Sequence, residues 1–141
     1  MKIGLDIHGV IDIYPEFFRT FSFHLMTKGH EVFIVTGQKW EKAEPQVKNL
    51  NISYNSYFSI VDYHLQIKTP MKQNYKNEWW MEDNIWNRSK GDFAKEVGLN
   101  IHFDDSRKYL QYFPDSCAYI WVPKTGFDKE LGKMLQIGII S

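Results

Sequence analysis

Cysteine is nearly absent: Cys117 is the single one in 141 residues, so an intrachain disulfide is excluded and a reducing compartment is expected. Its apolar neighbours, Ala118-Tyr119-Ile120-Trp121-Val122, make it a buried strand thiol. An excess of either charge is also missing. Seventeen Lys and Arg balance seventeen Asp and Glu, leaving no bulk field to gather a polynucleotide backbone or an anionic membrane. Long apolar runs are lacking as well. The stretch 135–140 is far too short to span a bilayer, and Met1-Lys2-Ile3-Gly4-Leu5-Asp6 meets charge too early for a leader peptide. A soluble, cytoplasmic protein is therefore expected, with neither repeats nor low-complexity tracts. What remains is a globular composition, 43% hydrophobic and 24% charged, at a length suited to one domain over residues 1–141.

Apolar patterning divides the chain into alternating elements. Residues 2–7 read as a buried strand closed by the loop His8-Gly9-Val10. Pro15 opens a helix with Phe17, Phe18, Phe21, Leu25 and Met26 at helical spacing, and Gly29 ends it. A second strand over 31–35 runs into Thr36-Gly37, followed by a helix over 40–50 that Pro45 shortens or kinks. Residues 57–61 form a third strand. The pattern then dissolves over 62–86, a segment rich in Tyr75, Trp79, Trp80 and Trp86. A stretch that long is functional or disordered in a compact domain, and its aromatic content speaks against disorder. Regularity returns with a helix over 87–97 capped by Gly98, and a strand over 100–103 that enters Asp104-Asp105-Ser106. A short helix to Tyr112, a strand over 117–122 and a helix from Phe127 complete the chain.

Strands alternating with helices imply an α/β fold: a three-layer, Rossmann-like, mainly parallel sheet with helices on both faces. In such sheets ligands bind beyond the carboxyl ends of the strands. Three strands here end in reactive polar residues, Asp6, Thr36 and Asp104. Asp6 can supply a nucleophilic carboxylate, and with Asp104 and Asp105 it offers the hard oxygen ligands that magnesium prefers. Thr36 brings a hydroxyl, Gly37 an unobstructed N–H, and Lys90, read in the first turn of its helix, an ammonium for a phosphate; that helix start adds donors of its own.

The run Ile3-Gly4-Leu5-Asp6-Ile7-His8-Gly9-Val10-Ile11 resembles the first motif of the haloacid dehalogenase superfamily, mostly phosphatases and phosphotransferases. Val32-Phe33-Ile34-Val35-Thr36-Gly37 is similar to its second motif, Lys90 to the third, and Ile101-His102-Phe103-Asp104-Asp105-Ser106 to the fourth, in the right order over nearly the whole chain. The resemblance implies that Asp6 is the nucleophile, that Thr36 and Lys90 hold phosphate, and that Asp104 or Asp105 binds Mg2+. The chain departs from the motif at His8, where these phosphatases carry the Asp that protonates the leaving oxygen and later activates water. Histidine can do both near neutral pH. Asp12 is read as outside catalytic reach.

In the resembled family an insert chooses the substrate. Here the stretch before Pro15 leaves no room for a large cap, so the 62–86 segment takes that part. Its rings, Tyr75, Trp79, Trp80 and Trp86, with Tyr63 as a further candidate, offer flat faces for a planar base, each worth about 1–3 kcal/mol; Arg88 and Arg107 add phosphate contacts. His24 and His30 read as surface or packing residues. His64 and His102 are also read mainly as packing, because strand alternation turns His102 away from the neighbours that flank Asp104. Two functions are expected from this constellation. One is a magnesium-dependent phosphohydrolase for a small phosphorylated molecule of the nucleotide kind. The other is a catalytically impaired relative that sequesters a nucleotide or cyclic nucleotide signal without cleaving it.

Overall fold

The structure, a computed structural model, describes residues 1–129. In chain order it comprises β1 (Lys2–Leu5), α1 (Pro15–Thr27), β2 (Glu31–Thr36), α2 (Trp40–Asn49), β3 (Ser56–Ser59), α3 (Ile60–Gln66), the two-residue strands β4 (Lys72–Gln73) and β5 (Trp79–Trp80), α4 (Asp83–Val97), β6 (Ile101–Asp104), a 3₁₀ turn over Arg107–Tyr112, and β7 (Ala118–Trp121). Five strands form one sheet in the order β3-β2-β1-β6-β7, and every neighbouring pair is parallel. Helices flank it in the three-layer, Rossmann-like arrangement expected of the alternation. Among the described residues no helix is long and apolar enough to cross a membrane.

Strands covered on both faces read as continuous apolar runs, and alternate residues serve opposite layers. Ile3, Leu5, Val32 and Ile34 pack with Phe18, Phe21 and Leu25 of α1 and with Ala43 and Val47 of α2. Phe33 and Val35, pointing the other way, pack with Phe58, Leu99 and Ala94 of α4. Cys117 is buried in this second layer, and burial pushes its thiol up to about 11, which makes it an inert packing group as expected.

Three features differ from the sequence reading. The third strand stops at Ser59, whose hydroxyl accepts the Asp62 N–H and starts α3 in place of more strand. Pro45 is absorbed within α2: it forgoes one helical hydrogen bond, while Trp40, Ala43 and Val47 anchor the buried face and Asp62 accepts the Trp40 N–H at 2.8 Å. The 62–86 insert shrinks, because its first residues belong to α3 and its last to α4, which begins at Asp83. What lies between carries a β4–β5 hairpin with Asn77 in the left-handed conformation (φ 61) at its turn. Past residue 129, the expected C-terminal helix lies outside the described residues.

Candidate functional site

The parallel register brings the carboxyl ends of β1, β2 and β6 to one edge of the sheet. Asp6 follows β1 and donates its N–H to Phe103 O at 3.1 Å, which ties the first loop to β6. The chain then turns sharply, with Gly9 at φ 79. A side chain there would be strained and would collide with the Asp105 carboxylate, so glycine lets Asp105 close over the loop. Asp12 accepts the Gly9 N–H at 2.8 Å and holds the turn.

Lys90 joins these loops from the helix layer. It lies in the middle of α4, not in a first turn, because the helix starts at Asp83. The donors at that helix start are thus about 10 Å of helix away and do not serve the site. The side chain is 4% exposed, and its Nζ stands 3.1 Å from Asp6 Oδ1 and 2.8 Å from Asp104 Oδ2. Burial alone would discharge Lys90, but the Asp6 and Asp104 carboxylates override it and hold the ammonium well above its ordinary range. Asp6, with Oδ1 also accepting the Ile7 N–H at 2.9 Å, is pushed up to about 7 by burial, against the pull of Lys90. Asp104 takes the opposite path: burial would raise it, yet Lys90 and the His102 hydrogen bond hold it well below the usual carboxylate range.

The two adjacent aspartates are now distinguishable. Asp104 is fully buried and its oxygens are engaged: Oδ2 accepts from Lys90 at 2.8 Å and faces His102 Nε2 at 3.0 Å, while Oδ1 accepts the Ser106 N–H at 3.0 Å. Asp105 instead lines the open cavity, with its carboxyl raised by burial and by the neighbouring Asp104 charge. One oxygen each from Asp6, Asp104 and Asp105 lie within 4.8 Å of one another. This donor set suits a small hard cation, and with Asp104 committed to Lys90, Asp6 and Asp105 are the carboxylates that face the cavity.

That cavity, about 890 Å³, is lined at the strand ends by Asp6, Thr36, Gly37, Lys90 and Asp105, with His8 beside them. The walls come from the start of α2, the hairpin, Trp79, Trp86 and Tyr109. Thr36 is buried, and its Oγ1 accepts the Gln38 N–H at 3.2 Å, which leaves its hydroxyl hydrogen free for a ligand. Gly37 has a second use beyond its N–H: a Cβ there would sit 2.6 Å from the Trp86 ring, so the indole covers the glycine. Trp86 and Lys90 are four residues apart on α4 and therefore share a face. The Trp86 indole N–H donates to Tyr109 Oη at 3.1 Å, and Lys90 Nζ lies 5.2 Å from the centre of the Tyr109 ring. His8 stands at the rim with its side chain 55% exposed and Nδ1 3.5 Å from Asp12 Oδ2.

Several expected site residues are elsewhere. Trp80 and Tyr75 do not line the cavity and are 58% and 90% exposed; adjacent residues of a strand face opposite ways, so placing Trp79 on the wall turns Trp80 outward. Tyr63 packs against Phe58 instead. Arg88, two residues from Lys90 and so on another side of α4, pairs with Asp92 at 3.1 Å, and Arg107 stacks 4.0 Å over Trp121. His64 lies between Thr69 (2.7 Å) and Ser89 (2.8 Å) in the layer between α3 and α4. His102 corrects the alternation argument: two residues apart on one strand means the same face, so it meets Asp104 directly. Sequence reasoning missed Tyr109 and the pairing of His8 with Asp12. The i, i+4 spacing of His8 and Asp12 was the available signal.

No family model and no curated protein matches this chain.

Proposed function

We propose that this chain is a haloacid-dehalogenase-like phosphohydrolase, magnesium-assisted, acting on a small phosphorylated molecule of the nucleotide class. One observation carries the reading: Asp6, Thr36, Lys90 and Asp105, supplied by four separate stretches of chain, face one cavity. Asp6 Oδ1 is taken by Lys90 and the Ile7 N–H, which leaves Oδ2 as the attacking oxygen. It bonds to phosphorus as the ester P–O bond breaks, and the departing oxygen takes a proton from the His8 imidazolium. Neutral His8 then removes a proton from water, whose oxygen attacks the same phosphorus; the P–O bond to Asp6 breaks and the carboxylate is restored. Asp12 orients the His8 ring. Lys90 and the Thr36 hydroxyl compensate charge on the phosphate oxygens. Mg2+ held by Asp6 and Asp105 would supply further neutralisation of that charge.

The nucleotide class rests on the walls. Trp79 and Trp86 line the same cavity as Asp6, Thr36 and Lys90 and offer aromatic rings to a planar base, and a cavity of about 890 Å³ has room for a base and sugar.

A second reading, retention of a nucleotide or cyclic nucleotide signal without cleavage, draws on His8. A half-exposed imidazole stands where the resembled phosphatases carry the acid–base carboxylate. Phosphate release from a panel of nucleoside monophosphates, with Mg2+ and again after chelation, separates the two. Release that chelation abolishes supports hydrolysis. Tight binding with every nucleotide recovered intact supports retention, and neither release nor binding refutes both.

A further inference from the structure

We propose that His102 is a positioning residue: through its hydrogen bond to Asp104 it fixes Lys90 between Asp104 and Asp6, so that the ammonium remains available to the phosphate. The inference rests on the phosphohydrolase reading for its consequence and on the buried network for its geometry.

His102 is fully buried in β6, in a sheet whose other interior positions are mostly apolar. Its Nε2 faces Asp104 Oδ2 at 3.0 Å, an oxygen that also receives Lys90 Nζ at 2.8 Å. An ionised carboxylate can only accept, so Nε2 carries the hydrogen and Nδ1 is the bare ring nitrogen. That Nδ1 is sealed from solvent and has no hydrogen-bond partner among the described residues, an arrangement that costs folding free energy.

The neighbouring strand makes the same concession. Gly4 lies beside His102 in the β1–β6 register, and a Cβ at Gly4 would come 2.7 Å from His102 Nδ1. Glycine in a strand gives up packing and conformational preference. The fold therefore accepts a glycine in its central strand and an unpartnered ring nitrogen in order to keep one N–H on Asp104. Phe113 stacks on the ring at 4.8 Å and Tyr119 lies 5.7 Å away, which locks its orientation.

The consequence runs through a shared cation. Asp104 and Asp6 compete for Lys90, at 2.8 and 3.1 Å. The His102 donor satisfies part of the Asp104 charge and fixes its rotamer. Without it, Asp104 draws Lys90 inward and away from Asp6 and the phosphate. Supports of this kind hold a reacting group in place without touching the ligand.

The test compares His102→Gln, which keeps an N–H donor, with His102→Met and His102→Phe, which do not. Two readouts are taken: the Lys90 ammonium signal in a nitrogen-15 spectrum, and kcat and KM for phosphate release from a nucleoside monophosphate. His102→Met and His102→Phe are expected to displace the Lys90 signal and to lower kcat by about tenfold or more with little change in KM, while His102→Gln stays within about threefold of the native chain. An unmoved Lys90 signal and unchanged kcat in the apolar variants overturn the proposal. If the native chain releases no phosphate, the ammonium signal still decides: displacement in the apolar variants alone upholds positioning, although the phosphohydrolase reading falls. Should the variants not fold, the imidazole nitrogen spectrum of the native chain decides, since a hydrogen on Nε2 upholds the bond and a hydrogen on Nδ1 overturns it.

Discussion

The strand-end centre and the β4–β5 hairpin face each other across one cavity, yet they are built on opposite terms. At the centre Asp6, Thr36, Lys90 and Asp104 are all buried; Asp6, Lys90 and Asp104 are each held by several partners, and Thr36 Oγ1 accepts the Gln38 N–H. In the hairpin Trp80 and Tyr75 are exposed, two short strands carry the pairing, and Trp79 alone of its three outlying rings reaches the cavity. On the proposed function, the difference separates where chemistry and where selection would reside. A reacting group needs a fixed position and an altered charge state, which burial in a parallel sheet supplies. A base-stacking wall needs area and tolerance, which an exposed hairpin supplies.

The sharpest way to break this comparison is Asp6→Asn. If the centre carries the chemistry, phosphate release falls by about 10³-fold or more while nucleotide affinity changes far less; a steady-state assay beside calorimetric titration measures both, and an undiminished rate removes the centre from the reaction. Lys90→Met comes next. Two buried carboxylates lose their shared cation, and denaturant unfolding should show a loss of about 3–5 kcal/mol; a loss under about 1 kcal/mol would mean that the pair is not desolvated as the geometry implies. On the hairpin side, Trp79→Ala should weaken nucleotide binding by about 1–3 kcal/mol, whereas Trp80→Ala and Tyr75→Ala leave it unchanged. Equal losses at Trp79 and Trp80 would dissolve the distinction between wall and outer face.

The burial of Asp6 is tested apart from the reaction by pH. Asp6 is pushed from 3.8 up to about 7 in the folded chain, so the native state holds its proton more tightly than the unfolded state. The stability this confers is complete below the unfolded value and is lost as pH rises towards 7. In chelating buffer, Asp6→Asn should therefore gain on the native chain between pH 4 and 7, as followed by melting temperature, and the gap should level off above that range. A gap that narrows as pH rises contradicts the burial argument.

Much of the centre was legible in the sequence because strand periodicity is strict. A residue that ends a buried strand of a parallel sheet must appear at the sheet's carboxyl edge, and that is where Asp6, Thr36 and Asp104 stand. Lys90 was legible as a group but not in its place. The aromatic residues before it hid a helix start that Asp83, an acidic first-turn residue, already marked. Asp104 and Asp105 could not be told apart, since their roles depend on which oxygens Lys90, His102 and Ser106 occupy. The hairpin was the least legible. Which of Trp79 and Trp80 faces inward is set by the register of a two-residue strand, and a shift of one residue reverses it.

The account's central claim, that Asp6 attacks a phosphate held at this edge, is tested most directly by a crystal structure grown with Mg2+ and beryllium trifluoride, a mimic of a carboxylate-linked phosphoryl group. Beryllium is expected bonded to Asp6 Oδ2, with its fluorides within reach of Thr36 and Lys90 and the metal between Asp6 and Asp105. Beryllium fluoride bound elsewhere, or absent while Asp6 remains closed on Lys90, would contradict it.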